Sequence, residues 1–88
     1  MPNKEELLAF IRRSKRRKDV LKLLSNKAIT ATDIERQIGM YKSHISRAIL
    51  ELKDKGLVEC KNPNDRAFRY YKITTKGKAI LVKTENSK

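Results

Sequence analysis

The sequence is poor in the residues that metal proteins and many enzymes require. It contains one cysteine, Cys60, one histidine, His44, and no tryptophan. A single cysteine cannot form an internal disulfide, which fits a reducing compartment, and one histidine with one cysteine cannot supply the ligands of a zinc site. The three glycines, Gly39, Gly56 and Gly77, are too dispersed to form a phosphate-binding loop. We therefore expect no enzymatic activity, no metal and no cofactor.

Long hydrophobic runs are also missing. No apolar stretch approaches the roughly 18 residues of a membrane-spanning helix, and the first residues lack the apolar region of a secretory signal. A chain of 88 residues with 39% apolar residues supports one domain, 1–88, with one modest core and little room for a ligand pocket. We expect a cytoplasmic, nucleoid-associated protein, and the sequence does not indicate a small-molecule effector, so control by abundance and control by a ligand both stay open.

Acidic residues are few, and the resulting charge is the strongest functional signal in the composition. The chain has 22 lysines and arginines against 10 aspartates and glutamates, which gives a net charge of +12 and a pI near 10.2. So much unbalanced positive charge repels itself unless an anionic partner is bound. Nucleic acid is the partner that this charge favours.

The central part of the chain predicts two short helices joined at a glycine. The first spans 30–38: the hydroxyl of Thr30 can accept a hydrogen bond from the amide of Asp33, and Ile34 and Ile38 recur on one face. Gly39 tolerates the left-handed backbone that ends such a helix. This first helix is the expected support of a helix-turn-helix.

The second helix is predicted over 41–55. Ile45, Ile49 and Leu52 repeat at helical spacing and must face the core. The opposite face is basic and carries small residues, which suits the major groove of DNA. Arg47 on that face can read guanine or contact phosphate, while Leu50 can touch a thymine methyl group or pack under the hairpin that follows.

After Gly56 the apolar period changes from that of a helix to that of a strand. Residues 57–61 and 68–74 predict two strands around the turn Asn62–Asp65, and together they form a hairpin over 57–74. Tyr71 and Ile73 should face the core, and Phe68 and Tyr70 should face away. A final helix, capped by Thr74 or Thr75, is predicted over 75–84.

The N-terminal part predicts a helical extension over 1–14 and a first helix over 15–25. Ser14 is either the cap of a second helix or a residue inside one long helix. The basic run 12–18 is either a solvated surface or a phosphate contact, and the apolar patch 7–11 packs either on this domain or on a second copy. Ala28 and Ile29 favour a short edge strand.

Two segments carry a resemblance to a known family. The segments SHISRAILELKDKGLVE and YYKITTKGKAIL resemble the recognition helix, wing strands and closing helix of winged helix-turn-helix regulators of the MarR and ArsR type. The resemblance implies a mainly α (α+β) fold: a three-helix core, a two- or three-stranded β-wing and a C-terminal helix. It also implies a homodimer that regulates transcription on double-stranded DNA, with the wing on the backbone or in the minor groove. Tyr41 departs from the family, which usually has Ser, Thr or Asp as the cap at that position.

Two sets of functional residues are predicted. The expected DNA-binding residues are Tyr41, Lys42, Ser43, His44, Ser46 and Arg47 on the helix and Lys61, Asn64, Arg66 and Arg69 on the wing. The dimerisation residues implied by the resemblance are Leu7, Leu8, Phe10, Ile11, Ile80 and Leu81. Alternatives remain: an RNA- or protein-docking module in which the wing aromatics stack on bases, or a non-specific chromatin-like DNA-binding protein.

Overall fold

The computed structural model describes residues 3–86, and the residues at positions 1, 2, 87 and 88 of the predicted 1–88 domain lie outside that range. The described part is mainly helical, with one small sheet. The elements in chain order are α1 (Lys4–Arg12), α2 (Lys15–Asn26), α3 (Ala31–Ile38), α4 (Lys42–Asp54), β1 (Val58–Cys60), β2 (Tyr71–Ile73) and α5 (Thr75–Asn86).

The N-terminal region forms two helices because Ser14 is a cap. The backbone amide of Arg17 donates to the Ser14 hydroxyl at 3.3 Å, and Ser14 has an extended backbone that interrupts the helix. Upstream, the Asn3 side chain accepts from the amide of Glu6 at 2.9 Å and starts α1. Short polar side chains at these two positions satisfy amides that a helix start leaves unpaired.

The helix-turn-helix consists of α3 and α4. Thr30 and Asp33 form a reciprocal capping box at the start of α3, and Gly39 ends that helix at a φ of 74°. A non-glycine residue would be strained in this left-handed conformation. The next helix begins differently, because Tyr41 occupies its cap position without a side-chain hydrogen bond.

The hydrophobic core lies where α2 and α4 cross, and it extends to the helices at both ends of the chain. Leu7 and Ile11 of α1 are buried in this core, as are Ile80 and Leu81 of α5. Through Leu7 and Ile11 the apolar patch at the N-terminus therefore packs on its own domain. The remaining buried apolar residues are Val20, Leu21, Leu24, Ile29, Ile34, Ile45, Ala48, Ile49, Leu52, Leu57, Val58 and Ile73.

The sheet is antiparallel and shorter than expected. Val58 pairs with Ile73 and Cys60 with Tyr71, so β2 has three residues instead of the seven predicted for 68–74. Ile29 adds one bridge, exchanging hydrogen bonds with Tyr71 at 2.9 and 3.1 Å. The predicted edge strand at Ala28 and Ile29 is thus reduced to a single bridging residue.

The last helix is fixed to the root of the wing. Thr74 accepts a hydrogen bond from the amide of Gly77 at 3.0 Å and donates to the carbonyl of Gly56 at 2.8 Å. Gly77 lies within α5, where a Cβ atom would collide with the carbonyl oxygen of Leu57. The close approach of α5 to β1 therefore requires glycine.

Candidate nucleic-acid interface

The two sides of α4 differ sharply in burial. Ile45, Ile49 and Leu52 lie in the core, which forces the opposite side of the helix to face outward. That outward face carries Lys42, Ser43 and Arg47 as exposed side chains and Ser46 as a half-buried one. It is a cationic surface with small hydroxyl side chains, which lets a helix approach a base pair closely.

Leu50 also belongs to the outward face. Its side chain is 62% exposed, so it does not pack under the wing, which was one of its two predicted environments. It lies three residues after Arg47 and four after Ser46, positions that share a helix face. Its methyl groups are therefore open to a ligand that contacts the cationic surface of α4.

Two aromatic rings cover the start of α4. Tyr41 is 76% exposed, and its ring meets that of His44 edge to face, with 5.8 Å between the ring centroids. The Tyr41 side chain makes no capping hydrogen bond, as expected for the position where the sequence departs from the MarR and ArsR pattern. The ring contact stands where a polar cap is usual, and the amide of His44 donates to the backbone carbonyl of Tyr41 at 3.0 Å instead of to a capping side chain.

An asparagine side chain bonds to the wing backbone at positions where strand pairing was predicted. The amide nitrogen of Asn62 donates to the carbonyl of Phe68 at 2.6 Å, and its oxygen accepts from the amide of Tyr70 at 2.7 Å. These bonds take backbone groups that a continued β2 would have used in the sheet. Local side-chain bonds of this kind compete with secondary structure, which explains the short strand.

Asp65 organises the tip of the wing in a similar way. Its carboxylate accepts from the amides of Ala67 and Phe68, both at 2.9 Å, and its own amide donates to the carbonyl of Asn62 at 3.0 Å, closing the predicted turn. The hydrogen bonds from Phe68 and Ala67, with a smaller contribution from the charge of Arg69, lower the pKa of Asp65. The wing tip is thus ordered by polar contacts alone.

The cationic residues of the wing are all exposed. Lys61 lies 3.3 Å from the carboxylate of Glu59, measured from its ammonium nitrogen, and Arg69 donates through Nε to the carbonyl of Asp65 at 2.9 Å. Arg66 and Asn64 are exposed on the turn segment. Arg69 therefore supports the wing as well as adding charge to it.

A small cavity of about 180 Å³ joins the wing to the helix-turn-helix. Lys42 at the start of α4 and the wing residues Arg66 and Arg69 line it, together with Thr30 and Thr32 at the start of α3. The structure thus brings three of the predicted DNA-binding residues to one place. The two threonines were not predicted as site residues, although their position at a helix start was visible in the sequence.

The basic run 12–18 contains one residue with an internal role. Arg17 forms a two-pronged ion pair with Glu51 of α4, at 3.0 Å for Nη2–Oε2 and 3.3 Å for Nε–Oε1. The hydrogen bond and charge of Arg17, and then the charge of Arg47, lower the pKa of Glu51. Arg17 is therefore a structural contact of the recognition helix, which the sequence analysis missed.

The residues predicted for dimerisation occupy two environments. Leu7, Ile11, Ile80 and Leu81 are core residues of the single chain, so their side chains are not an exposed contact surface. Leu8 and Phe10 are half-buried at the edge of the same core. On the final helix the exposed apolar residues are instead Ala79 and Val82.

Within residues 3–86, no cluster of His, Cys, Asp or Glu side chains is placed to hold a metal ion. None of the helices in that range has the length and apolar character needed to cross a membrane.

Comparison with known proteins identifies one family and several regulators that this chain resembles. The family described as the HVO_A0261 N-terminal domain matches residues 5–87. The HTH-type transcriptional regulator TcaR of Staphylococcus aureus (strain Newman) is 33% identical over 66 residues, which cover 72% of this chain and 44% of TcaR. The chain thus spans less than half of that relative.

Two solved structures extend the similarity to the fold. The transcriptional regulator BldR from Sulfolobus solfataricus has a TM-score of 0.74 at 26% identity, covering 83% of this chain and 53% of BldR. The multiple antibiotic resistance repressor MarR has a TM-score of 0.74 at 26% identity, covering 94% of this chain and 64% of MarR. Both matches agree with the predicted winged helix-turn-helix.

Proposed function

Because the chain belongs to the HVO_A0261 N-terminal domain family and has the winged-helix fold of MarR-like regulators, we propose that it is a sequence-specific transcriptional regulator that binds double-stranded DNA. The observation that carries this proposal is the outward face of α4, where Lys42 and Arg47 are exposed opposite a fully buried face. The similar proteins are regulators and not enzymes, in agreement with the expected absence of catalysis.

The dimensions of α4 suit the major groove. Its 13 residues give a length of about 20 Å at about 1.5 Å per residue, and a helix fits a groove about 12 Å wide. Arg47 near the middle of α4 would make a two-pronged contact to guanine, and Lys42 at its start would contact a phosphate group. Leu50 would then meet a thymine methyl group.

The wing would hold the DNA backbone beside the same groove. The cavity shared by Lys42, Arg66 and Arg69 is large enough for one phosphate group, at about 180 Å³. A phosphate placed there would contact the recognition helix and the wing together, which would fix the register of the protein on the duplex. Lys61, exposed on the same hairpin, would add a further contact to the backbone or minor groove.

We propose that the functional unit is a homodimer, as palindromic recognition by a helix-turn-helix usually requires. The exposed side of α5, with Ala79 and Val82, offers the apolar surface for a second copy. Lys4 and Lys83 lie close enough that Lys83 lowers the pKa of Lys4, so positive charge crowds this side. We expect salt to promote dimerisation, and sedimentation of the full chain at two salt concentrations tests this.

Selection of duplexes from a random pool, followed by a salt titration, tests the proposal. One family of sequences should be enriched, and log affinity should fall by about 0.9 per phosphate neutralised for each unit of log salt. Absence of binding to any duplex at low salt would contradict DNA binding. Nucleoid association follows from the same proposal, and imaging of the tagged protein checks it.

One observation favours a second candidate, a module that docks on RNA. Phe68 and Tyr70 on the wing are 67% and 44% exposed, and exposed aromatic rings can stack on unpaired bases. Competition between the selected duplex and a structured RNA separates the two functions. Preference for RNA would favour the docking module, and equal affinity for all duplexes would favour a non-specific chromatin-like protein.

A further inference from the structure

The recognition helix is fixed by few directional contacts. Its buried face consists of Ile45, Ala48, Ile49 and Leu52, and apolar burial has little directional preference. Its N-terminal cap residue, Tyr41, makes no side-chain hydrogen bond. Burial therefore decides which side of α4 faces outward, and a directional contact can set the rotation of the helix more finely within that limit.

Arg17 supplies a directional contact. Its guanidinium group meets the carboxylate of Glu51 through two nitrogen atoms, Nη2 at 3.0 Å and Nε at 3.3 Å. A two-pronged pair of this kind fixes the relative orientation of two planar groups as well as their distance. Glu51 is the tenth of the 13 residues of α4, so the contact acts on the C-terminal part of the helix, one turn after Arg47.

Arg17 is itself fixed from the other side. Its third nitrogen, Nη1, donates to the carbonyl of Phe10 at 2.8 Å, and the guanidinium carbon lies 3.9 Å from the centre of the Phe10 ring. Hydrogen bonding and cation–π contact hold the guanidinium group in place. The side chain therefore links the end of α1 to α4 through α2, from which it projects.

The negative charge of Glu51 is unfavourable for DNA binding, so its presence on α4 calls for a structural reason. A carboxylate on the recognition helix of a chain with net charge +12 weakens the attraction of that helix to a polyanion. Glu51 also follows Arg47 by one helical turn, and the charge of Arg47 acts on it. Its carboxylate thus lies between the Arg17 contact and the residue proposed to read guanine.

We propose that Arg17 and Glu51 are positioning residues that set the rotation of α4 and thereby the placement of Arg47 in the groove. The inference rests on the proposed function, since it concerns sequence discrimination on duplex DNA. A positioning role and a charge effect predict different results. Loss of the ion pair should reduce the preference of the protein for its selected duplex over other duplexes. Removal of the Glu51 charge alone should strengthen binding to all duplexes.

The DNA experiment compares the ratio of dissociation constants for a scrambled duplex and the selected duplex. Glu51→Ala and Arg17→Met should each lower this ratio by about fivefold, the lower end of what one base contact contributes. The double variant should lower it no further than either single change, because both remove the same contact. An unchanged ratio in Glu51→Ala would overturn the proposal.

Charge-matched controls come from another ion pair between helices. Lys22 of α2 lies 3.6 Å from Glu85 of α5, measured from nitrogen to oxygen, and neither residue belongs to α4. Glu85→Ala and Lys22→Met make the same charge changes as the test variants. They should shift affinity for both duplexes alike, and an equal fall of the ratio in these controls would contradict a specific role of the Arg17–Glu51 pair.

A measurement without DNA keeps the positioning role separate from the proposed function. Residual dipolar couplings of the α4 amides report the orientation of this helix in the free full-length chain. Glu51→Ala should change them relative to those of α2, and Glu85→Ala should not. If α4 keeps its orientation in Glu51→Ala, the proposal fails; if the wild-type chain binds no duplex but the orientation changes, only the proposed function fails.

Discussion

The recognition helix and the wing both belong to the proposed DNA-binding surface, but they are stabilised by different forces. The helix is anchored by buried side chains such as Ile45 and Ile49. The wing tip is exposed throughout and is ordered by hydrogen bonds of Asn62 and Asp65. One region depends on apolar burial and the other on polar contacts in water.

This difference bears on what each region can recognise. Burial of a large apolar side chain contributes about 1.5 to 3 kcal/mol, and it ties α4 to the global stability of the domain. A hydrogen bond near solvent contributes about 1 kcal/mol or less net, so the wing can open locally. A rigid helix suits the reading of bases, and an adaptable wing suits the backbone, whose position varies with sequence.

The largest expected effect on stability comes from truncating a buried side chain of α4. Ile49→Ala should lower the free energy of unfolding by about 2 to 5 kcal/mol, because it removes buried methyl groups and leaves a cavity. The adjacent Leu50→Ala is a matched control, since Leu50 is 62% exposed. Thermal and urea denaturation measure both variants, and similar losses for the two would contradict the assignment of inner and outer faces.

The root of the wing offers the next largest effect. Gly77→Ala should destabilise the domain by about 1 to 3 kcal/mol, because the new Cβ atom would meet the Leu57 carbonyl and lie 2.7 Å from Ile73 Cγ1. Lys78→Ala, at the exposed neighbouring position, should change stability little. Denaturation curves in which Gly77→Ala is as stable as the wild type would contradict the close packing of α5 on the sheet.

The wing tip should respond locally. Asn62→Ala removes the side-chain bonds to Phe68 and Tyr70, and we expect a loss of about 1 kcal/mol or less in global stability. Amide hydrogen exchange should accelerate in the wing while α4 stays protected. Asn64→Ala, at an exposed position of the same turn, is the control, and acceleration in α4 would show that the two regions are not independent.

The smallest expected effect is the loss of wing stability at acidic pH. The pKa of Asp65 is lowered by hydrogen bonds from the Phe68 and Ala67 amides, so its folded value lies below the unfolded value near 3.9. The stabilisation is therefore present above about pH 3.9 and lost as the pH falls through the folded pKa. Titration of the Asp65 carboxyl by NMR measures this shift, with Asp65→Asn as the variant whose wing lacks this pH dependence. A pKa of Asp65 at or above its ordinary value would contradict the ordering of the wing by its carboxylate.

The sequence was most informative where the cause of a structure is local. The Thr30 and Asp33 capping box, the glycine after α3 and the apolar spacing of α4 all act within a few residues, so the helix-turn-helix was predictable. The outward face of α4 followed from the same spacing, because the residues opposite a buried stripe must be exposed.

The sequence was least informative where contacts are distant or where side chains compete with the backbone. Arg17 and Glu51 are 34 positions apart, and nothing in a basic run distinguishes the one arginine that packs inside. Asn62 was predicted only as a turn residue, yet its side chain shortens β2. Nothing in the sequence indicated that Gly77 lies against the carbonyl of Leu57, because the two residues are 20 positions apart and only the folded chain brings them together.

The most direct test compares Arg47→Ala and Arg66→Ala on the selected and scrambled duplexes. If α4 reads bases and the wing holds backbone, Arg47→Ala should lower discrimination by about 1 to 3 kcal/mol, whereas Arg66→Ala should weaken binding to both duplexes alike and reduce the salt slope by about one. Equal losses on both duplexes for Arg47→Ala would show that the recognition helix contacts only phosphate and would contradict the account.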